Sequence, residues 1–89
     1  MESPRWHLEI TEPAQRDLLR LPVETRRRVT TAFDGLTVFP RIGDIKKLAG
    51  KDDEYRLRVS DIRVIYRSEK PRRTIVIVAA RPRGRVYRD

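Results

Sequence analysis

Hydrophobic and polar positions alternate with a period of two over residues 55 to 67: Tyr55, Leu57 and Val59 interleave with Arg56 and Arg58, and Ile62, Val64 and Tyr66 with Arg63 and Arg67. That period marks strands with one apolar face, and Ser60-Asp61 between them reads as a two-residue turn. Such a turn pairs Val59 with Ile62 and sets Arg58 directly across from Arg63 on the polar face, with Arg56 one step away. Trp6, Leu8 and Ile10 alternate in the same way with Arg5, His7 and Glu9 and predict a short first strand. From Thr11 the period becomes helical. Thr11 suits an N-cap, Glu12 and Pro13 a first turn, and Ala14, Leu18 and Leu21 fall at i, i+4 and i+7 with Leu19 beside them. Pro22 ends that helix. A second starts at Pro22 or Val23, with Val29, Ala32, Phe33 and Leu36 on one stripe and some of Arg26, Arg27 and Arg28 turned outward.

Between Thr37 and Glu54 the periodicity fails, and Pro40, Gly43 and Gly50 predict a long surface connection. Lys70-Pro71-Arg72-Arg73 is a polar turn, and the β-branched and alanine run from Thr74 to Ala80 predicts a strand covered on both faces, central in its sheet. The order strand, helix, helix, strand, strand, strand predicts one α+β domain over residues 1–89. A helical hairpin would lie against an antiparallel β-sheet of about four strands in a two-layer sandwich.

Composition adds a direction to this picture. The 89 residues suffice for one domain with a modest core, and charged residues make up 38%. Residues 1–54 hold ten basic and ten acidic side chains, whereas residues 55–89 hold eleven basic and three acidic, so the whole net charge of +8 belongs to the later part. A neutral scaffold carrying an electropositive surface fits nucleic acid or an acidic protein partner. Arginines on an open strand face otherwise read as solvated charges. Facing each other across two strands they cost stability, which points to a multiply anionic ligand, a nucleic-acid phosphate first. Without cysteine there is no disulfide framework or thiolate site, and no apolar run resembles a leader or a membrane span, so a soluble cytoplasmic protein with no membrane partner is expected. His7 reads as a surface residue and Asp52-Asp53-Glu54 as solvated charge; no metal and no cofactor is expected. Tyr55 and Tyr66 read as core.

Arg81 ends the last predicted strand, and pairing of that strand with Ile62 to Arg67 returns Arg81 towards Arg58 and Arg63. Arg83, Arg85 and Tyr87 follow. Guanidinium groups so gathered grip a phosphodiester by bidentate hydrogen bonds, and a phenol offers a base an aromatic face. Attack by a 2′-OH on its neighbouring phosphate builds charge on the non-bridging and leaving 5′ oxygens, which preorganised arginines stabilise.

These residues resemble a family. Lys47-Leu48-Ala49-Gly50, Tyr55-Arg56-Leu57-Arg58-Val59, Asp61-Ile62-Arg63-Val64-Ile65-Tyr66 and Arg81-Pro82-Arg83-Gly84-Arg85-Val86-Tyr87 look like the signature of the RelE/ParE toxin superfamily of toxin–antitoxin modules. Leu18-Leu19-Arg20-Leu21-Pro22 matches the end of that family's first helix. The resemblance covers nearly the whole chain and implies a RelE-like fold. RelE-like members cut messenger RNA in the ribosomal decoding site without metal, leaving a 2′,3′-cyclic phosphate, whereas ParE-like members inhibit DNA gyrase; the arginine, valine and tyrosine near the end look like the RelE branch. By that resemblance Arg56 and Arg58 take the positions of the basic pair that activates the 2′-OH. Arg63 would hold the scissile phosphate, Arg81 would stabilise the phosphorane and leaving oxygen, and Tyr87 would orient or stack on the nucleotide. Lys46, Lys47, Arg83 and Arg85 are expected to bind substrate beside them. The implied partners are a small cognate antitoxin, in a hetero-oligomer, and the ribosome with its messenger and ribosomal RNA. One departure is chemical. The best-known RelE-like site carries lysines at the paired positions, and a guanidinium keeps its proton at any working pH, so arginine is a poor general base. A gyrase inhibitor or a non-cleaving, antitoxin-binding relative are the alternatives.

Overall fold

A computed structural model describes residues 5–82. The first strand, β1 (His7–Ile10), gives way at once to α1 (Glu12–Leu19) because Thr11 is extended and its hydroxyl accepts the Ala14 N–H at 3.2 Å. Ala14, Leu18 and, just past the helix, Leu21 are buried, while Leu19 is exposed. Pro22 then opens α2 (Val23–Ala32), which tightens into a 3₁₀ turn over Phe33–Leu36 and buries Val29, Phe33 and Leu36. Arg26 does more than decorate this helix. Its Nε donates to the Leu18 carbonyl at 3.0 Å and its Nη2 to the Leu21 carbonyl at 3.2 Å, tying α2 to the end of α1 and the turn behind it.

The segment expected as an unbroken loop contains a strand, β2 (Asp44–Lys47), so the sheet has five strands where about four were expected. Only Ile45 of its four residues is partly buried, opposite Leu57, and one apolar residue among Asp44, Lys46 and Lys47 makes no period. After β2 come β3 (Glu54–Val59), β4 (Ile62–Glu69) and β5 (Thr74–Pro82), in the order β1-β5-β4-β3-β2. β1 runs parallel to β5, from His7 beside Thr74 to Ile10 beside Ile77, and all other neighbours are antiparallel. β4 is therefore the middle strand. β5 lies next to it, interior and buried over most of its length as its composition predicts.

Ser60 takes a left-handed conformation (φ 54°), and the turn it forms with Asp61 sets the predicted register, Val59 opposite Ile62 and Arg58 opposite Arg63. A bulge follows on the next ladder: Ile65 faces Ala79 but Tyr66 faces Ile77, leaving Val78 as the extra residue. Through it Ile77 and Ala80, three apart, both reach the helix side, where they join Leu57, Val64, Tyr66 and Ile75 against Ala14, Leu18, Val29, Phe33 and Leu36. That is the core.

Candidate active site

Leu57, Val64 and Ala80 stand in one cross-strand row facing the helices, so the residues one step along face the other way. That next row reads Asp44, Arg58, Arg63, Arg81 across β2, β3, β4 and β5, each the direct partner of the next. Arg56, two residues before Arg58, shares the face, between Lys46 and Ile65. The register thus brings together Arg56, Arg58, Arg63 and Arg81 with Lys46. It separates Lys47, which pairs with Tyr55 and falls on the helix side of the sheet. Arg83, Arg85 and Tyr87 lie outside the described residues.

Solvated charge does not describe this face. Arg56 and Arg63 are each only 6% exposed. Arg56 Nη1 lies 3.7 Å from Asp44 Oδ1, close enough for an ion pair but too long for a hydrogen bond, and Asp44 is itself exposed. Among the described residues, the Nε and Nη1 of Arg56 and the Nε of Arg58 are buried without a hydrogen-bond acceptor. Leaving a buried donor unsatisfied costs about 1–3 kcal/mol, and more on a charged group.

Arg81 is held differently. Its Nε donates at 3.2 Å to Oδ2 of Asp17 in α1, the same oxygen that accepts the Ala80 N–H at 3.1 Å, and Asp17 is 6% exposed. Sequence reasoning missed Asp17. The signal was there in part, since Ala14, Asp17, Leu18 and Leu21 fall at i, i+3, i+4 and i+7, a carboxylate inside an apolar stripe.

The tyrosines occupy the opposite side. Tyr55 and Tyr66 stack with centroids 5.4 Å apart, and burial pushes the Tyr66 phenol up to about 12 against the opposing pull of Arg41, with Tyr55 adding to the rise. Arg41 sits over Phe39 at 3.8 Å and Trp6 at 4.4 Å; burial lowers its pKa, while Tyr66 and Tyr55 work to raise it. His7, Asp52 and Asp53 are exposed. Among the described residues no cluster of three or more His, Cys, Asp or Glu forms a metal-sized group, and no helix is long and apolar enough to cross a membrane.

A helical hairpin packed on one face of a five-stranded mixed sheet, with basic side chains gathered on the other, is the architecture of the RelE/ParE toxin superfamily. The family described as the ParE toxin of the type II toxin–antitoxin system parDE matches residues 8–87, and the chain belongs to it. Among solved structures it is similar to a chain of the archaeal RelE–RelB complex from Pyrococcus horikoshii OT3, with 34% identity over 91% of this chain and 98% of that one and a TM-score of 0.76. A chain of the toxin–antitoxin complex RelBE2 from Mycobacterium tuberculosis is 29% identical over 90% of this chain and 100% of its own, again with a TM-score of 0.76. The isolated E. coli RelE toxin shares the fold at a TM-score of 0.78, with 21% identity over 90% of this chain and 86% of that one. No curated protein sequence matches the chain.

Proposed function

We propose that this toxin is a ribosome-dependent endoribonuclease that cuts messenger RNA and so stops translation, and that a small cognate antitoxin, of the kind bound in the relatives' complexes, silences it in a hetero-oligomer. The observation that carries the reading is the cross-strand row Arg58, Arg63, Arg81, flanked by buried donors of Arg56 and Arg58 that have no acceptor among the described residues. Such a row of guanidinium groups suits a phosphodiester. The 2′-OH gives its proton to solvent water as its oxygen attacks the adjoining phosphorus, the bond to the 5′ oxygen breaks and that oxygen takes up a proton from water, and a 2′,3′-cyclic phosphate remains. Arg63, in the middle of the row, holds the scissile phosphate. Arg81 meets the charge on the phosphorane and the departing oxygen, and Arg56 and Arg58 favour the attacking oxygen as it gains negative charge. These groups act through charge and orientation, because none is suited to accept the proton. Arg83, Arg85 and Lys46 add phosphate contacts along the strand of RNA, and Tyr87 stacks on the nucleotide. The site of action is the cytoplasm, where the translating ribosome supplies the substrate.

In a reconstituted translation system the protein should cut message at ribosomal A-site codons, as read by mapping RNA ends. Arg63→Ala should slow cutting by at least about a hundredfold, the scale of losing one preorganised oxyanion donor, while circular dichroism remains that of the folded chain. Message that stays whole in the presence of folded protein would overturn the reading. One observation favours a second: the matching family is described by the parDE system. A gyrase-directed toxin would block DNA supercoiling while translation continued.

A further inference from the structure

β1 stops at Ile10, opposite Ile77, whereas β5 continues to Pro82, so the edge of β5 beyond Ile77 is left to α1, which packs on that strand. Asp17 fills this position. Its Oδ2 accepts the Ala80 N–H, a backbone donor that would otherwise lack a strand partner. For that task alone an uncharged amide oxygen would serve, and it would avoid the cost of desolvating a carboxylate that is 6% exposed. The charge finds its reason in Arg81, whose Nε donates to the same oxygen at 3.2 Å. Arg20, the other nearby cation, approaches only to 3.9 Å from Oδ1 and is largely exposed.

The Arg81 side chain is half exposed at the rim of the sheet, where a long, rotamer-rich chain would otherwise sample many directions. A carboxylate fixed in a helix and bonded to both the backbone of Ala80 and the Nε of Arg81 restricts that freedom at two neighbouring points. A guanidinium carries five N–H donors in a planar fork, and a bond made through Nε is compatible with an end-on, bidentate grip of phosphate by Nη1 and Nη2.

We propose that Asp17 is a positioning residue for RNA cleavage: from α1 it orients the guanidinium of Arg81 at the end of the arginine row so that its terminal nitrogens meet the phosphorane. The inference rests on the endoribonuclease reading above. It assigns a role in the cut to the helical layer, on the far side of the sheet from the row.

Asp17→Asn tests it, because the amide keeps the volume and an acceptor for Ala80 but removes the charge that holds Arg81. Single-turnover cutting on saturating ribosomes should slow by about 10- to 100-fold, the range expected when a catalytic group is misplaced rather than removed, with ribosome affinity and melting temperature close to those of the parent chain. In the Arg81→Ala background the same substitution should cause no further loss, since the two residues act as one unit. Parent-like cutting by Asp17→Asn, or an equal proportional loss with and without Arg81, would overturn the proposal. Should Asp17→Asn not fold, Asp17→Ser goes through the same measurements, and the same results support or overturn the proposal. If the parent chain cuts and loses cutting with Arg81→Ala while Asp17→Asn behaves as the parent, only the positioning role falls; if the parent chain leaves the message whole, both readings fall together.

Discussion

Tyr66 is 2% exposed and stacked on Tyr55, and its phenol keeps its proton up to about 12 in the folded chain, against 10.0 ordinarily. Between those values the unfolded chain has released this proton and the folded chain has not. Fewer protons on the unfolded side means that stability falls as pH rises through this window, and that the contribution is intact below it. Urea denaturation followed from pH 10 towards pH 12 should therefore show a declining midpoint, with a shallower decline in Tyr66→Phe. The inward place of Tyr66 was legible from strand alternation, as was the confrontation of Arg58 with Arg63, because both depend only on neighbours in sequence and a two-residue turn. Asp17 was legible only in its inward place on the apolar stripe of α1. Its partner Arg81 lies 64 positions away, and nothing local names that guanidinium.

Among the elements, β2 depends on Gly43, whose φ is +139° and whose place a Cβ would contest with Leu57 Cδ1 at 2.6 Å. Gly43→Ala should thus strain the backbone and crowd the core together, lowering stability by about 1–3 kcal/mol in urea denaturation without changing the slope of the transition. The helices and the β3–β4 hairpin were readable because each repeats its period over eight or more residues or is pinned by a short turn. β2 escaped since it has a single apolar residue, Ile45, and owes its pairing to the edge that β3 offers it. The bulge at Val78 was equally hidden: an unbroken β-branched run is the same whether or not one residue is skipped in the ladder.

Taken whole, the chain concentrates its +8 charge in residues 55–89, and the described part of that stretch forms the three strands that carry the arginines. Binding to a single-stranded RNA oligonucleotide should weaken linearly on a log–log plot against salt, with a slope of about −0.7 per phosphate neutralised, and be nearly indifferent to base sequence. Fluorescence titration at several salt concentrations measures this. Arg58→Gln should make the slope shallower by about one such contact, whereas a substitution at Lys47, on the helix side, should leave it closer to the parent value.

The placement of β5 between β1 and β4 has a consequence for how the molecule is made. On a nascent chain β1 emerges first, yet it has no neighbour to bond until Thr74–Ile77 have been synthesised, 67 residues after His7. Arg63 likewise gains Arg81 at its side only when β5 docks against β4. Closure of the sheet and assembly of the arginine surface are one late event, so a polypeptide released prematurely, before that strand, carries neither a stable fold nor the means to grip a phosphate.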